Sequence, residues 1–490
     1  MSYQPSQPDP QPPKPGGDTP LRQSTNIQGN ILAAFNKDHV RFLFVGLDAG
    51  AARAWLGEVE PLVANTKEVE DFNENFSKLQ KANGGADPEG EHAKWIGLGL
   101  TVDGLRKLTT DEERLTADLQ QFGAFVAKAP SRAGQVGDAG PSAPEHWLFG
   151  AESQPAIDAI VTVAADRPED LEALRTEIVA INGRHGASLV FEQTGETLPG
   201  PGAGHEHFGF KDGISQPGVT QFHQEDPAHP GKRLGHPDQD LIAPGEFVLG
   251  YPDQEKKTAD VPAWMHDGSF QVYRRLAQDV PGFWSGVEQQ QKAHLDGVVD
   301  SETLAAKLVG RWRSGASLSH HPDKDPDLQP SDPDDNEFDF QADDADGLKT
   351  PRCAHIRKVY PRDATPPGDT ESERRRILRR GIAFGAPFIP AFGAGTGAGD
   401  ARGLNFVCFQ ASIEAKFEFL QQSWADNADF PAGSDGPDPI IGKNDAGTPV
   451  TLKLKGQDHT VTMARFVTTQ ASVYAFNPSK QALVQLADGS

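Results

Sequence analysis

The sequence predicts an α+β fold built from two similar halves. Two observations carry this: short β-branched and aromatic runs alternate with stretches of helical period, and the alternation occurs twice along the 490 residues. The chain also has 51 glycines and 39 prolines, which point to many turns rather than long helices. At roughly 150 residues per domain the length allows two or three domains.

The first twenty residues hold seven prolines and almost no apolar side chains, so residues 1–26 read as a disordered arm, with order beginning near Ile27. In the first round, residues 40–47 (VRFLFVGL), 95–102 (WIGLGLTV) and 157–164 (IDAIVTVA) read as buried strands. Helices are expected at 51–65, 105–108 and 168–181, the last because Leu171, Leu174 and Ile178 share one face. The second round offers strands at 247–251, 269–275 and 404–410 and a helix at 413–422. The expected division is 27–220 and 221–490, with an acidic insertion at 323–346 in which Asp and Glu fill eleven of twenty-four positions.

Composition excludes several functions. Forty-six Lys and Arg against 70 Asp and Glu leave a formal charge of −24, unsuited to coating nucleic acid or docking on an anionic membrane face. Cys353 and Cys408 provide neither a disulfide framework nor a thiolate zinc cluster. No run of about 18 apolar residues is present. The start lacks the basic and apolar regions of a secretory signal, so the chain is expected to be cytoplasmic, although a mature secreted form would look the same.

Four segments invite chemistry. Asp332, Asp334 and Asn336 begin like a calcium loop, but Glu337 stands where the sharp turn needs Gly and Asp343 where a bidentate Glu belongs; a solvated surface insertion is the better reading. Residues 393–399 (GAGTGAG) resemble a phosphate cradle but lead into a strand, which favours a flexible loop. Residues 206–217 (EHFGFKDGISQP) set Asp212 among aromatics and glycines, a tight loop able to hold an acid against a flat ligand. His355 lies among Arg352, Arg357 and Arg362, and Arg374 to Arg380 form a second basic cluster, so an anionic ligand or internal charge pairing is expected there.

These segments together resemble the dye-decolourising peroxidase family of haem enzymes. The likeness is close at GFKDGISQP (residues 209–217), AHIRKVYPR (354–362) and ILRRGIAFG (377–385), and extends from Ile27 to about Pro478. The resemblance implies two ferredoxin-like halves of the dimeric α/β barrel type, with one haem b held in the C-terminal half. It implies His355 as axial iron ligand, with Glu414 as the carboxylate supporting it, and Asp212 and Arg379 as the distal acid/base and charge stabiliser. Counting back from Phe384-Gly385 favours Arg379 over Arg380.

Gly213, Ile214, Ser215, Tyr360, Arg362 and Arg311 are implied to line the cofactor, with Arg362 the leading partner for a propionate. The implied activity is reduction of hydrogen peroxide and oxidation of organic donors such as dyes and phenols, by a monomer or a homodimer. A haem carrier or sensor on the same fold, or a metal-binding protein using the acidic stretch, are the rival readings.

Overall fold

The computed structural model describes residues 19–489 other than 86, 87, 89, 331, 363–370, 389–400, 435 and 444–446. The arm up to residue 18 and the glycine-rich segment 393–399 lie outside the described residues.

Nine strands build the main sheet: β1 His39–Gly46, β2 Lys94–Leu100, β3 Ala159–Ala165, β4 Ser188–Glu196, β5 Ser269–Gln278, β6 Leu378–Arg379, β7 Ile382–Phe384, β8 Gly403–Gln410 and β9 Val467–Asn477. They run β6-β8-β5-β9-β2-β3-β1-β4, all antiparallel, with β7 pairing β8 beside β6. In the first half the order β4-β1-β3-β2 places the fourth strand beside the first and the second at the far edge, the ferredoxin-like arrangement. The second half repeats it as β9-β5-β8 with β6 and β7 as the short outer pieces.

The halves join at both ends. Phe476 of β9 pairs with Leu100 of β2. At the other seam Asn405 Nδ2 of β8 donates to Thr194 O of β4 at 2.9 Å, and Arg275 Nε of β5 donates to Gln193 Oε1 at 2.7 Å. Ile382 of β7 occupies the space where a Cβ on Gly195 of β4 would stand. Each half's fourth strand thus meets the other's outer strand, closing the sheet into a doubled α+β barrel.

The side-chain period of two explains the core. Phe42 and Phe44 of β1 point inward against Tyr273 of β5 and group with Val407, Phe409 and Val473. Their neighbours Leu43 and Val45 point outward to a second cluster with Trp55, Leu56 and Ile178, under the helices Ala52–Val59 and Pro168–Arg184.

Several expectations need correction. Order begins before Ile27: residues Pro20–Gln23 form a 3-10 turn whose Leu21 is buried and whose Leu21 N–H donates to Gln221 O. Residues 247–251 are apolar and buried, but form no strand; their backbone groups pair locally, Leu249 N–H with Gly268 O and Asp267 N–H with Leu249 O. The helix expected over 51–65 stops at Val59 and passes into the turn Glu60–Leu62, because Pro61 has no N–H to continue it. A further helix then starts at Thr66–Ala82 behind the reciprocal Asn65–Glu68 cap. The helical stretch after Ile413 is wound wide, as the π-helical segments Glu414–Glu418 and Leu420–Ala425.

The acidic stretch is not simply a solvated insertion. Asn336, Phe338, Phe340 and Asp344 are buried, and the Asp344 carboxylate accepts the N–H groups of Leu348, Lys349 and Thr350. The side chains of the calcium-like pattern go to separate partners: Asp332 to Gln329 N, Asp334 to Lys211, and Asn336 to two arginines.

Candidate active site

Asp212 lies in the long connection between β4 and β5, on a loop shaped by another acid. The buried Glu206 carboxylate accepts Phe208 N–H at 2.8 Å, Phe210 N–H at 3.0 Å and Gln278 Nε2 at 2.6 Å. Burial pushes Glu206 up to about 7 despite these donors. Gly213 follows at φ +82, a conformation glycine adopts without strain, and its N–H donates to Asp212 Oδ1 at 2.6 Å.

Arg379, the last residue of β6, donates from Nη1 to the same Oδ1 at 2.9 Å. Its backbone is held twice by Gln216, whose Nε2 donates to Arg379 O at 3.0 Å and whose Oε1 accepts Arg379 N–H at 3.3 Å. Burial acts to raise the Asp212 carboxyl, but the Arg379 charge and the Gly213 N–H outweigh it and hold the group below the usual carboxylate range.

His355 opens the short helix His355–Val359. Its Nδ1 lies 2.7 Å from Asp438 Oδ2, and Asp438 is fully buried, its Oδ1 accepting the N–H groups of Ile440 and Ile441. Burial opposes the imidazolium, yet the Asp438 carboxylate raises His355 above the ordinary histidine value. Arg379 and Asp212 also act on His355 through space, one lowering and one raising it, so the three lie within electrostatic reach of one another. In all, 41 % of the Asp212 side chain, 31 % of Arg379 and 29 % of His355 remain accessible, so none of the three is sealed in packed core.

Glu414 is not the partner of His355. Its Oε1 instead accepts Ala124 N–H, tying the segment Glu414–Glu418 to the helix Gly123–Arg132 of the first half. Asp438 was missed because it stands 83 residues beyond His355 in a Gly/Pro-rich loop with no motif around it.

Arg311 and Arg362 come together at Asn336, whose Oδ1 accepts Arg311 Nη2 at 2.8 Å and Arg362 Nη2 at 2.5 Å. Burial, then the Arg362 charge, push Arg311 down to about 10. Arg362 sits at φ +56, a strained conformation for a side chain of its size. Tyr360 is buried with its hydroxyl donating to Asp240 Oδ2 at 2.8 Å, and its ring packs against Arg376 at 3.8 Å and Arg362 at 5.0 Å. Arg376 in turn donates to Ser215 O at 2.9 Å. Ile214 is buried against Gly315, while the buried Ser215 hydroxyl has no hydrogen-bond partner among the described residues.

The doubled barrel defines the class, that of dimeric α+β barrel proteins. Residues 26–195 match the family model described as DyP dimeric alpha+beta barrel domain, and residues 251–431 match Dyp-type peroxidase, C-terminal. Peroxidase 2 of Mycetinis scorodonius is 31 % identical over 94 % of this chain and 86 % of its own length. A mutant of the dye-decolorizing peroxidase from Pleurotus ostreatus has a TM-score of 0.78 at 30 % identity, covering 94 % of this chain and 98 % of that one. A dye-decolorizing peroxidase in complex with 2,6-dimethoxyphenol has a TM-score of 0.76 at 29 % identity, covering 96 % and 99 %. The chain belongs to the dye-decolorizing peroxidase family of haem-dependent enzymes.

The residues present fit a haem. His355 Nδ1 is engaged by Asp438, which leaves Nε2 as the nitrogen for a metal, with no hydrogen bond among the described residues. A Cβ on Gly213 would meet nothing within 4 Å, so the backbone there faces open space. Two buried guanidiniums near one another, satisfied mainly by carbonyl oxygens, suit an anionic propionate.

Proposed function

We propose that this chain is a haem b peroxidase that reduces hydrogen peroxide and oxidises dyes and phenols. The observation that carries the reading is the Asp212–Arg379 pair within electrostatic reach of a histidine whose Nδ1 is held by Asp438. When bound, haem would supply the redox chemistry that links peroxide reduction to donor oxidation. No Cys-x-x-Cys-His segment occurs in the chain, which supports a haem held without thioether bonds.

The protein's part is acid–base and electrostatic. Asp212, ionised beside Arg379, takes the proton from one peroxide oxygen and returns it to the other, which leaves as water. Arg379 offsets the negative charge that develops during this transfer. His355 would hold the cofactor through Nε2 while its Nδ1–H is donated to Asp438, which keeps the imidazole electron-rich. Arg362, with Arg311 behind it, is placed to meet a propionate. The dimethoxyphenol seen with a structural relative supports phenols as donors.

The test is the absorption spectrum of haem-reconstituted protein before and after one equivalent of peroxide, with dye turnover measured alongside. A Soret band that changes with peroxide, together with turnover, is expected. No Soret band overturns the reading, and a band without turnover leaves a carrier or sensor. Asp212→Asn should slow the reaction with peroxide by about 10²–10⁴-fold, and a normal ferric spectrum in His355→Ala would remove the axial assignment.

A further inference from the structure

Lys358 lies one turn after His355 on the helix His355–Val359 and is completely buried. Its Nζ donates to two main-chain carbonyls, Asn427 O at 2.6 Å and Phe430 O. Both belong to the stretch that leads on to Asp438. The carbonyl dipoles satisfy its N–H groups but do not neutralise its charge. Among the described residues no carboxylate lies within ion-pair distance; acids act on it through space, Asp438 foremost, then Asp429 and Asp426. Burial pushes Lys358 down to about 8, opposed by Asp438, so it remains an ammonium at neutral pH.

A buried positive charge therefore lies within electrostatic reach of Asp438, where low polarizability lets it act strongly. Asp438 pulls on the His355 Nδ1 proton in proportion to its unbalanced negative charge. The stronger that pull, the more anionic the imidazole and the better it stabilises oxidised iron.

We propose that Lys358 is a positioning residue for the axial site: its ammonium tethers the loop leading to Asp438 and offsets part of that carboxylate's charge, thereby raising the reduction potential of the bound iron. The proposal rests on His355 being the axial ligand.

The experiment is potentiometric titration of the haem-loaded protein as wild type, Lys358→Gln, Lys358→Met, Lys358→Arg and Asp438→Asn. Gln keeps N–H donors for the carbonyls without the charge, and Met removes both. A lower potential in Lys358→Gln, with the wild-type value restored by Arg, is expected. Lys358→Met, which also frees the loop, should lower the potential less than Lys358→Gln.

A purely mechanical tether predicts the opposite sign, since a freed Asp438 would release His355 and raise the potential. A raised or unchanged potential in Lys358→Gln, or its failure to hold haem, overturns the proposal. Asp438→Asn should raise the potential; if it leaves it unmoved, the axial reading itself falls, which is a distinguishable outcome.

Discussion

Asp212 is a carboxylate in a setting that by burial alone would raise its pKa, and Arg379 reverses that sign. With its native value held below the ordinary carboxylate range, the ionised form persists into acid. Replacing Arg379 by Leu leaves burial as the leading influence, so the acidic limb of the second-order rate with peroxide should move to higher pH, read from a stopped-flow pH profile. A second contrast separates the two carboxylates considered for His355. Glu414→Gln should leave the ferric spectrum unchanged while lowering the melting temperature, because it weakens the bond to Ala124 N; Asp438→Asn should alter the spectrum. Asp212, Arg379 and His355 were legible because each sits inside a compact motif whose neighbours share its task. Asp438 was not, since a single carboxylate in a loop announces nothing until the fold brings it to the imidazole, and it lies past residue 431, where the second family match ends.

Among the elements, the acidic segment shows how composition conceals structure. Its charge suggested solvation, yet Phe338 stacks beneath Arg362 at 4.0 Å and Phe340 beneath Arg357 at 4.7 Å. Asn336 joins it to the second half by accepting both Arg311 and Arg362 and donating to Asp238 O at 3.0 Å. Asn336→Ala removes the oxygen that two buried guanidiniums share, and a loss of about 2–4 kcal/mol is expected from urea denaturation. The strands were legible because their period of two is local; the 247–251 run failed the same test because an apolar run can be buried without a ladder. The π-wound segments at Glu414–Ala425 could not be foreseen, since their widened turns depend on packing that local spacing does not encode.

For the whole molecule, the formal charge is −24, while cations gather locally, Arg379 at Asp212 and Arg311 and Arg362 at Asn336. Encounter with charged donors should follow the net charge. The kcat/KM of a cationic dye should fall as ionic strength rises from 10 to about 200 mM, and that of an anionic dye should rise; equal slopes would show that donors do not sense this charge. The two halves were visible as a doubled pattern, but not their closure, because the seam bonds Asn405–Thr194 and Arg275–Gln193 join residues far apart in the chain. That closure has a consequence for synthesis. β9 is the last strand made, yet it lies between β5 and β2 in the middle of the sheet. A nascent chain can assemble β1 to β4 early, but until Val467–Asn477 leaves the ribosome the edges of β2 and β5 stay open to other strands, so the hazard of mispairing lasts until that strand is in place.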